Sequence, residues 1–172
     1  MIRPDPFWMF GVIAEPVSVL AAGLLAQSRW KPVLGLYLAA LLAYFLHPYG
    51  QSLPLWTILD VLAALVLIYP TAKAGGTLYA VNLKRLPAKL ALISFICIAT
   101  DSLVRIFLLI PCGLHALFFE TFDVLRAVFI EAAVWSYIED LIVVAVSLSV
   151  GVPLLLAIFK TGVVGKKGEK NV

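Results

Sequence analysis

The feature that most constrains this chain is Leu90–Pro111, LALISFICIATDSLVRIFLLIP, an apolar run of more than twenty residues that carries two charges. At 1.5 Å per residue such a run crosses a bilayer as a helix. Asp101 and Arg105 stand four residues apart within it, so a helix puts them on one face. A charge at that depth costs a few kcal/mol or more, and it faces a partner or a wet cavity. The run therefore predicts a membrane span whose polar face belongs to the interior of a bundle.

The rest of the chain fits the same solvent. Of 172 residues, 63% are hydrophobic and 13% charged, and mean hydropathy is +1.04. Water-soluble domains of this length are not built so. The reading is an all-α polytopic bundle, one integral membrane domain over residues 1–172. Five spans are expected: Phe7–Gln27, Pro32–His47, Leu55–Ala72, Leu90–Pro111 and Tyr137–Lys160. Leu114–Trp135 reads differently. Phe118, Phe122, Leu125, Phe129 and Ala132 recur at helical spacing, while Glu120, Asp123 and Glu131 take another face. That predicts an amphipathic helix, interfacial or re-entrant, and a sixth span if it crosses.

Lys and Arg decide orientation. With five spans, one side collects Arg29, Lys31, Lys73, Lys84, Arg85, Lys89, Lys160, Lys166, Lys167 and Lys170; the other holds Arg3 and Arg126. The expectation is a multi-pass cell-membrane protein, N-terminus outside and C-terminus cytoplasmic. No basic face is interleaved with polar and aromatic residues, so nucleic acid is not an expected partner. Cys97 and Cys112 are fifteen residues apart along one helix, roughly 22 Å, too far to bridge.

On this topology the membrane-depth charges gather toward the outer end. Glu15 lies roughly 12 Å down its span, Asp60 roughly 8 Å, Arg105 about 9 Å and Asp101 about 15 Å. Glu139 and Asp140 open the last span, with Trp135 beside them. The pattern predicts a pocket open outward, with Glu15, Asp60, Asp101, Arg105, Trp135 and Glu139 meeting a small polar solute. The structural alternative is a clasp in which Asp101 and Arg105 neutralise each other. His47 and His115 read as interfacial anchors, and no close-spaced metal-ligand motif or cofactor motif is present. Ala14, Ser18, Ala22 and Ala26 recur every fourth residue, which allows close helix approach, either within this chain or by a separate membrane subunit.

Several of these stretches together resemble archaeal members of the energy-coupling factor transporter S-component group. They are Trp30–Pro32, the uncharged proline-rich loop Pro48–Pro54, and TDSLVRIFLLIPCG (Thr100–Gly113) followed by SYIEDLIVVAVSLSVGVPLLLAI (Ser136–Ile158). The resemblance implies a substrate-capturing membrane subunit, not an enzyme, that binds a vitamin, its precursor or a metal ion from outside. It implies docking on a membrane coupling subunit driven by ATPase subunits, through small residues on the first helix such as Ala22 and Ala26. The chain departs from that group in two ways: five spans are read instead of six, and the histidine-bearing N-terminus of metal-specific members is replaced by Met-Ile-Arg. No Gly-rich phosphate loop is present. Two other classes stay open: an assembly subunit of a larger membrane complex, and a small membrane enzyme acting on lipid.

Overall fold

A computed structural model of the chain describes residues 8–73, 78 and 84–160. The lead before Trp8, most of the polar connection after Lys73 and the basic tail lie outside the described residues.

Among the described residues every regular element is helical. Helix α1 spans Trp8–Ala26 and α2 spans Trp30–Leu46. A single helical turn, α3, covers Pro48–Ser52. A 3-10 turn at Leu55–Ile58 leads into α4, Leu59–Lys73. Helix α5 spans Leu86–Leu109, and a second 3-10 turn covers Leu114–Leu117. Helix α6 spans Phe122–Val146, passes through a π turn at Ser147–Gly151, and continues as α7, Val152–Lys160. Four of these helical stretches are long and apolar enough to cross a membrane: Met9–Ala26, Leu55–Lys73, Leu86–Leu109 and Phe122–Phe159. Helix α2 is equally apolar but shorter, at 17 residues.

The helix carrying Asp101 and Arg105 is the hub: α5 packs against α1, α2, α4, α6 and α7. In lipid no hydrophobic force drives helices together, so close packing and interhelical hydrogen bonds must hold them. Small side chains give α1 its approach to α5. Ala14, Ser18 and Ala21 are buried, and the Cys97 thiol on α5 donates to the Ser18 carbonyl at 3.4 Å. On the other side, buried Tyr37 of α2 reaches the Ile96 carbonyl at 3.2 Å and the Thr100 hydroxyl at 3.0 Å. The outward surface is the reverse of a soluble protein's. Val12, Val19, Leu42, Val66, Leu141 and Leu154 are all exposed, as a lipid-facing surface requires.

Three sequence expectations change here. The amphipathic segment and the last span are not separate elements, because no Gly or Pro interrupts residues 122–150. Thr121 caps the start, accepting from the Val124 N–H at 3.5 Å, and the helix then runs unbroken for 38 residues. Its length, about 57 Å, is well beyond the ~30 Å hydrocarbon core. Pro153, which would break an α-helix by removing a donor and crowding the carbonyl four residues back, is accommodated by the π turn. Gly151 in that turn is a close-approach position: a Cβ there would lie 2.9 Å from Leu90 Cδ2 of α5.

The second change concerns Lys89. It is not in a polar loop but in the first turn of α5, where it is buried. Pro87 sits at the helix start, where its missing N–H costs nothing, and so moves the boundary before Lys89. The third change is at Pro48–Pro54, read as a loop. Pro48 at the first helical position and His47 Nδ1, accepting from the Tyr49 N–H at 3.2 Å, close a turn of helix there.

Candidate functional site

The cavity at one end of the bundle is built where α1 and α4 begin and α5 ends. Its volume is about 420 Å³, within the range of small-molecule sites. Phe10 of α1, Thr57 and Asp60 at the head of α4, Asp101 to Leu109 on α5, and Leu125 to Glu139 on α6 supply its walls.

The α5 wall follows from helical spacing. Asp101, Arg105 and Leu109 lie on one face, four residues apart, and all three line the cavity. Arg105 Nε donates to Asp101 Oδ2 at 2.5 Å, a short charge-assisted bond. The Asp101 side chain is 13% exposed and that of Arg105 33%. The other carboxylate oxygen, Asp101 Oδ1, is buried and has no hydrogen-bond partner among the described residues.

Glu15 of α1 is exposed and lies near the same guanidinium without lining the cavity. A Cβ on Gly11 would lie 3.0 Å from Glu15 Oε1 and 3.5 Å from Arg105 Nη2. Both side chains therefore come close to the bare backbone of Gly11, where an added Cβ would ask the flexible Glu15 carboxylate to give by a few tenths of an ångström.

The α4 and α6 walls are fastened to each other. The Tyr137 hydroxyl donates to the Trp56 carbonyl and accepts from the Leu59 N–H. That N–H lies at the start of α4 and is one of the donors a helix leaves unsatisfied. Asp60 follows directly and is buried. One turn along α6 from Ser136, Glu139 also lines the cavity. Ser102 and Ser136 meet at 3.3 Å and join α6 to α5 on the same level. Trp135 lines the cavity but stays 65% exposed, so its indole belongs to the rim.

Of the six residues expected to meet a solute, the structure thus brings five to one cavity: Asp60, Asp101, Arg105, Trp135 and Glu139. Glu15 stands behind Arg105. The small-residue stripe of α1 is elsewhere and already occupied. Ala14 and Ser18 are buried inside this chain, and Ala22 and Ala26 pack on its apolar core. Ala14 and Ser18 are thus taken up by packing within this chain, while Ala22 and Ala26 stay half-buried.

Of the two acids that open the last span in the sequence reading, Glu139 is exposed and Asp140 is buried, and Asp140 Oδ1 has no hydrogen-bond partner among the described residues. The signal was present, because Leu125, Phe129, Ala133 and Asp140 share the buried side of α6. Its neighbour Glu139, turned 100° around the helix, takes the cavity side.

The histidines hold the rim of the bundle. Tyr49 stacks on Phe122 with ring centroids 4.6 Å apart and lies 4.9 Å from the His115 ring. His47 and His115 are 5.9 Å apart. His115 Nδ1 is bonded to the Leu109 carbonyl at 3.0 Å. This clasp ties α3 and the Leu114–Leu117 turn to the start of α6. Among the described residues no three His, Cys, Asp or Glu side chains come together as a metal site.

Compared with known proteins, the chain matches no family model, no curated protein and no solved structure. A functional reading has to be carried by the cavity itself.

Proposed function

We propose that this chain is a solute-binding membrane protein, the capturing subunit of an uptake transporter for a small polar solute such as a vitamin or its precursor. The observation that carries the reading is a cavity of about 420 Å³ inside an apolar bundle, lined by Asp60, Asp101, Arg105 and Glu139. Asp60 is buried, Asp101 and Arg105 are half-buried and Glu139 is exposed; gathering four ionisable side chains around one hollow at the end of an apolar bundle is costly in a membrane, and binding is the use that repays it. A structural clasp accounts for Asp101 and Arg105, which bond to each other, but not for Asp60 and Glu139 on two other helices.

The placement of basic residues supports entry from outside. Arg29 lies between α1 and α2, Lys31 is in the first turn of α2, Lys73 ends α4, and Lys84 and Arg85 precede α5. All are at the end of the bundle opposite the cavity. With the positive end cytoplasmic, the cavity opens outward. The N-terminus is then outside and the C-terminus inside. Release across the bilayer falls to partners, and the S-component resemblance points to a coupling subunit with ATPase subunits.

The test is a thermal-stability panel on the purified protein in detergent or lipid nanodiscs, using small amines, carboxylic acids and neutral heterocycles. Saturable stabilisation by at least one class is expected. It should be lost in Ala132→Phe, which fills the cavity from an exposed position, and in Asp101→Asn. A panel in which no compound stabilises the native chain more than Ala132→Phe would overturn the reading. Orientation is tested by a single cysteine at Lys84 in a background lacking Cys97 and Cys112. It should react with an impermeant maleimide only from the cytoplasmic side.

A further inference from the structure

We infer that the cavity takes an organic monocation, its positive head held between Asp60 and Glu139 and its apolar body against Phe129 and Trp135. The inference rests on the solute-binding reading and names the class of solute.

The charge balance of the walls is the first ground. Three carboxylates and one guanidinium line the cavity among the described residues. The guanidinium is committed: Arg105 is bonded to Asp101 at 2.5 Å. An anionic solute would have to displace a short charge-assisted bond and then sit beside Asp60 and Glu139. Among the described residues neither Asp60 nor Glu139 forms an ion pair. A neutral solute would strip water from both carboxylates and return nothing for it. A positive head compensates them.

The second ground is the rest of the lining. Phe10, Phe119, Phe129 and Trp135 present four aromatic rings, and Ile106 adds an apolar surface. Aromatic faces attract cations, and more strongly where water is excluded. The same rings bury an organic body that a bare inorganic ion lacks. A chelated metal is a poorer occupant, because no cluster of three His, Cys, Asp or Glu forms among the described residues. The volume of about 420 Å³ suits a single-ring amine.

Asp60 and Glu139 are also held in place independently of the solute. The Tyr137 hydroxyl, bonded to the Trp56 carbonyl and the Leu59 N–H, fastens α6 to the head of α4 one residue before Asp60 and two before Glu139. The helix segments that carry the two carboxylates are therefore joined at one corner of the cavity, which limits how far a head group must reorder them.

The experiment compares three probes of one shape and different charge: benzylammonium, benzyl alcohol and phenylacetate. Each is titrated calorimetrically into the full chain in nanodiscs, with empty nanodiscs subtracted. Saturable binding of benzylammonium is expected, tighter than benzyl alcohol by about ten-fold or more, with no saturable binding of phenylacetate. Asp60→Asn and Glu139→Gln should each weaken benzylammonium by about ten-fold or more and leave benzyl alcohol nearly unchanged. Glu131→Gln, on the exposed side of α6 and outside the cavity, should change none of the three. If a variant fails to fold, the order of the three probes on the native chain still decides. Benzyl alcohol or phenylacetate binding as tightly as benzylammonium overturns the charge assignment and leaves solute binding standing. No saturable binding of benzylammonium overturns the inference outright, and the thermal panel separately decides whether the cavity takes any solute.

Discussion

The hydroxyls of Tyr37 and Thr100 converge on one backbone carbonyl, that of Ile96, at 3.2 and 2.6 Å. They also lie 3.0 Å from each other. Tyr37 belongs to α2, so this is the point at which the shortest of the apolar helices is tied to the hub. Both residues are buried completely.

Tyr37→Phe removes one hydroxyl and leaves no orphan, because Thr100 keeps the Ile96 carbonyl. The expected cost is about 1 kcal/mol, the net value of one buried hydrogen bond. Tyr37→Ala also empties the ring's volume and should cost about 3–5 kcal/mol. Denaturation in mixed micelles with rising SDS measures both, and equal costs would show that the hydroxyl, not the ring, dominates.

Arg105 and Asp101 give a prediction with a rescue. Arg105→Met leaves Asp101 facing apolar surroundings, and should destabilise by about 2–3 kcal/mol. This is below the full value for breaking a buried pair, because the Arg105 side chain is 33% exposed. Adding Asp101→Asn removes the stranded charge and should recover more than half of the loss. The same SDS titration on the two single variants and the double variant gives the coupling between them. Strictly additive losses would show that the short contact contributes nothing to stability.

The pair itself was legible in sequence because a helix brings residues four apart together whatever else it does. What periodicity cannot supply is the choice between adjacent residues at an interface. Glu139 and Asp140 differ by 100° of rotation, and only the continuation of Leu125, Phe129 and Ala133 tells which turns inward. The small stripe of α1 shows a related limit: Ala14 and Ser18 invite a helix, and sequence spacing does not say whose. The unbroken α6 was hidden by its charges. Asp123, Arg126 and Glu131 make its first half look unlike its second, while backbone continuity depends only on the absence of breakers.

Gly151 and Leu90 meet where α5 begins and the π turn ends. A Cβ at residue 151 would fall 2.9 Å from Leu90 Cδ2, the far end of a flexible side chain. Gly151→Ala is therefore expected to stay within about 1 kcal/mol of the native chain, since Leu90 can turn aside. Gly151→Leu cannot be absorbed so and should cost about 1–3 kcal/mol by overpacking. Leu90→Ala in the same chain should return most of that loss. A Gly151→Leu variant as stable as the native chain would mean that α5 and the π turn are not in close contact.

Tyr137 carries the last prediction, which separates the architecture of the cavity from its occupancy. Its hydroxyl joins the Trp56 carbonyl and the Leu59 N–H, and no other residue described here bonds to that N–H from α6. Tyr137→Phe keeps the ring and removes the lock. The stability loss should be about 1 kcal/mol, because the Leu59 N–H at the head of α4 is left without its partner. The larger effect should be on binding. Asp60 and Glu139 would no longer be fixed against each other, so affinity for a cationic probe should fall while affinity for its neutral analogue holds. Calorimetry with the two probes reads that difference directly. A parallel loss of both would instead mean that the α4–α6 corner collapses, and that Tyr137 supports the hollow as a whole and not the carboxylates alone.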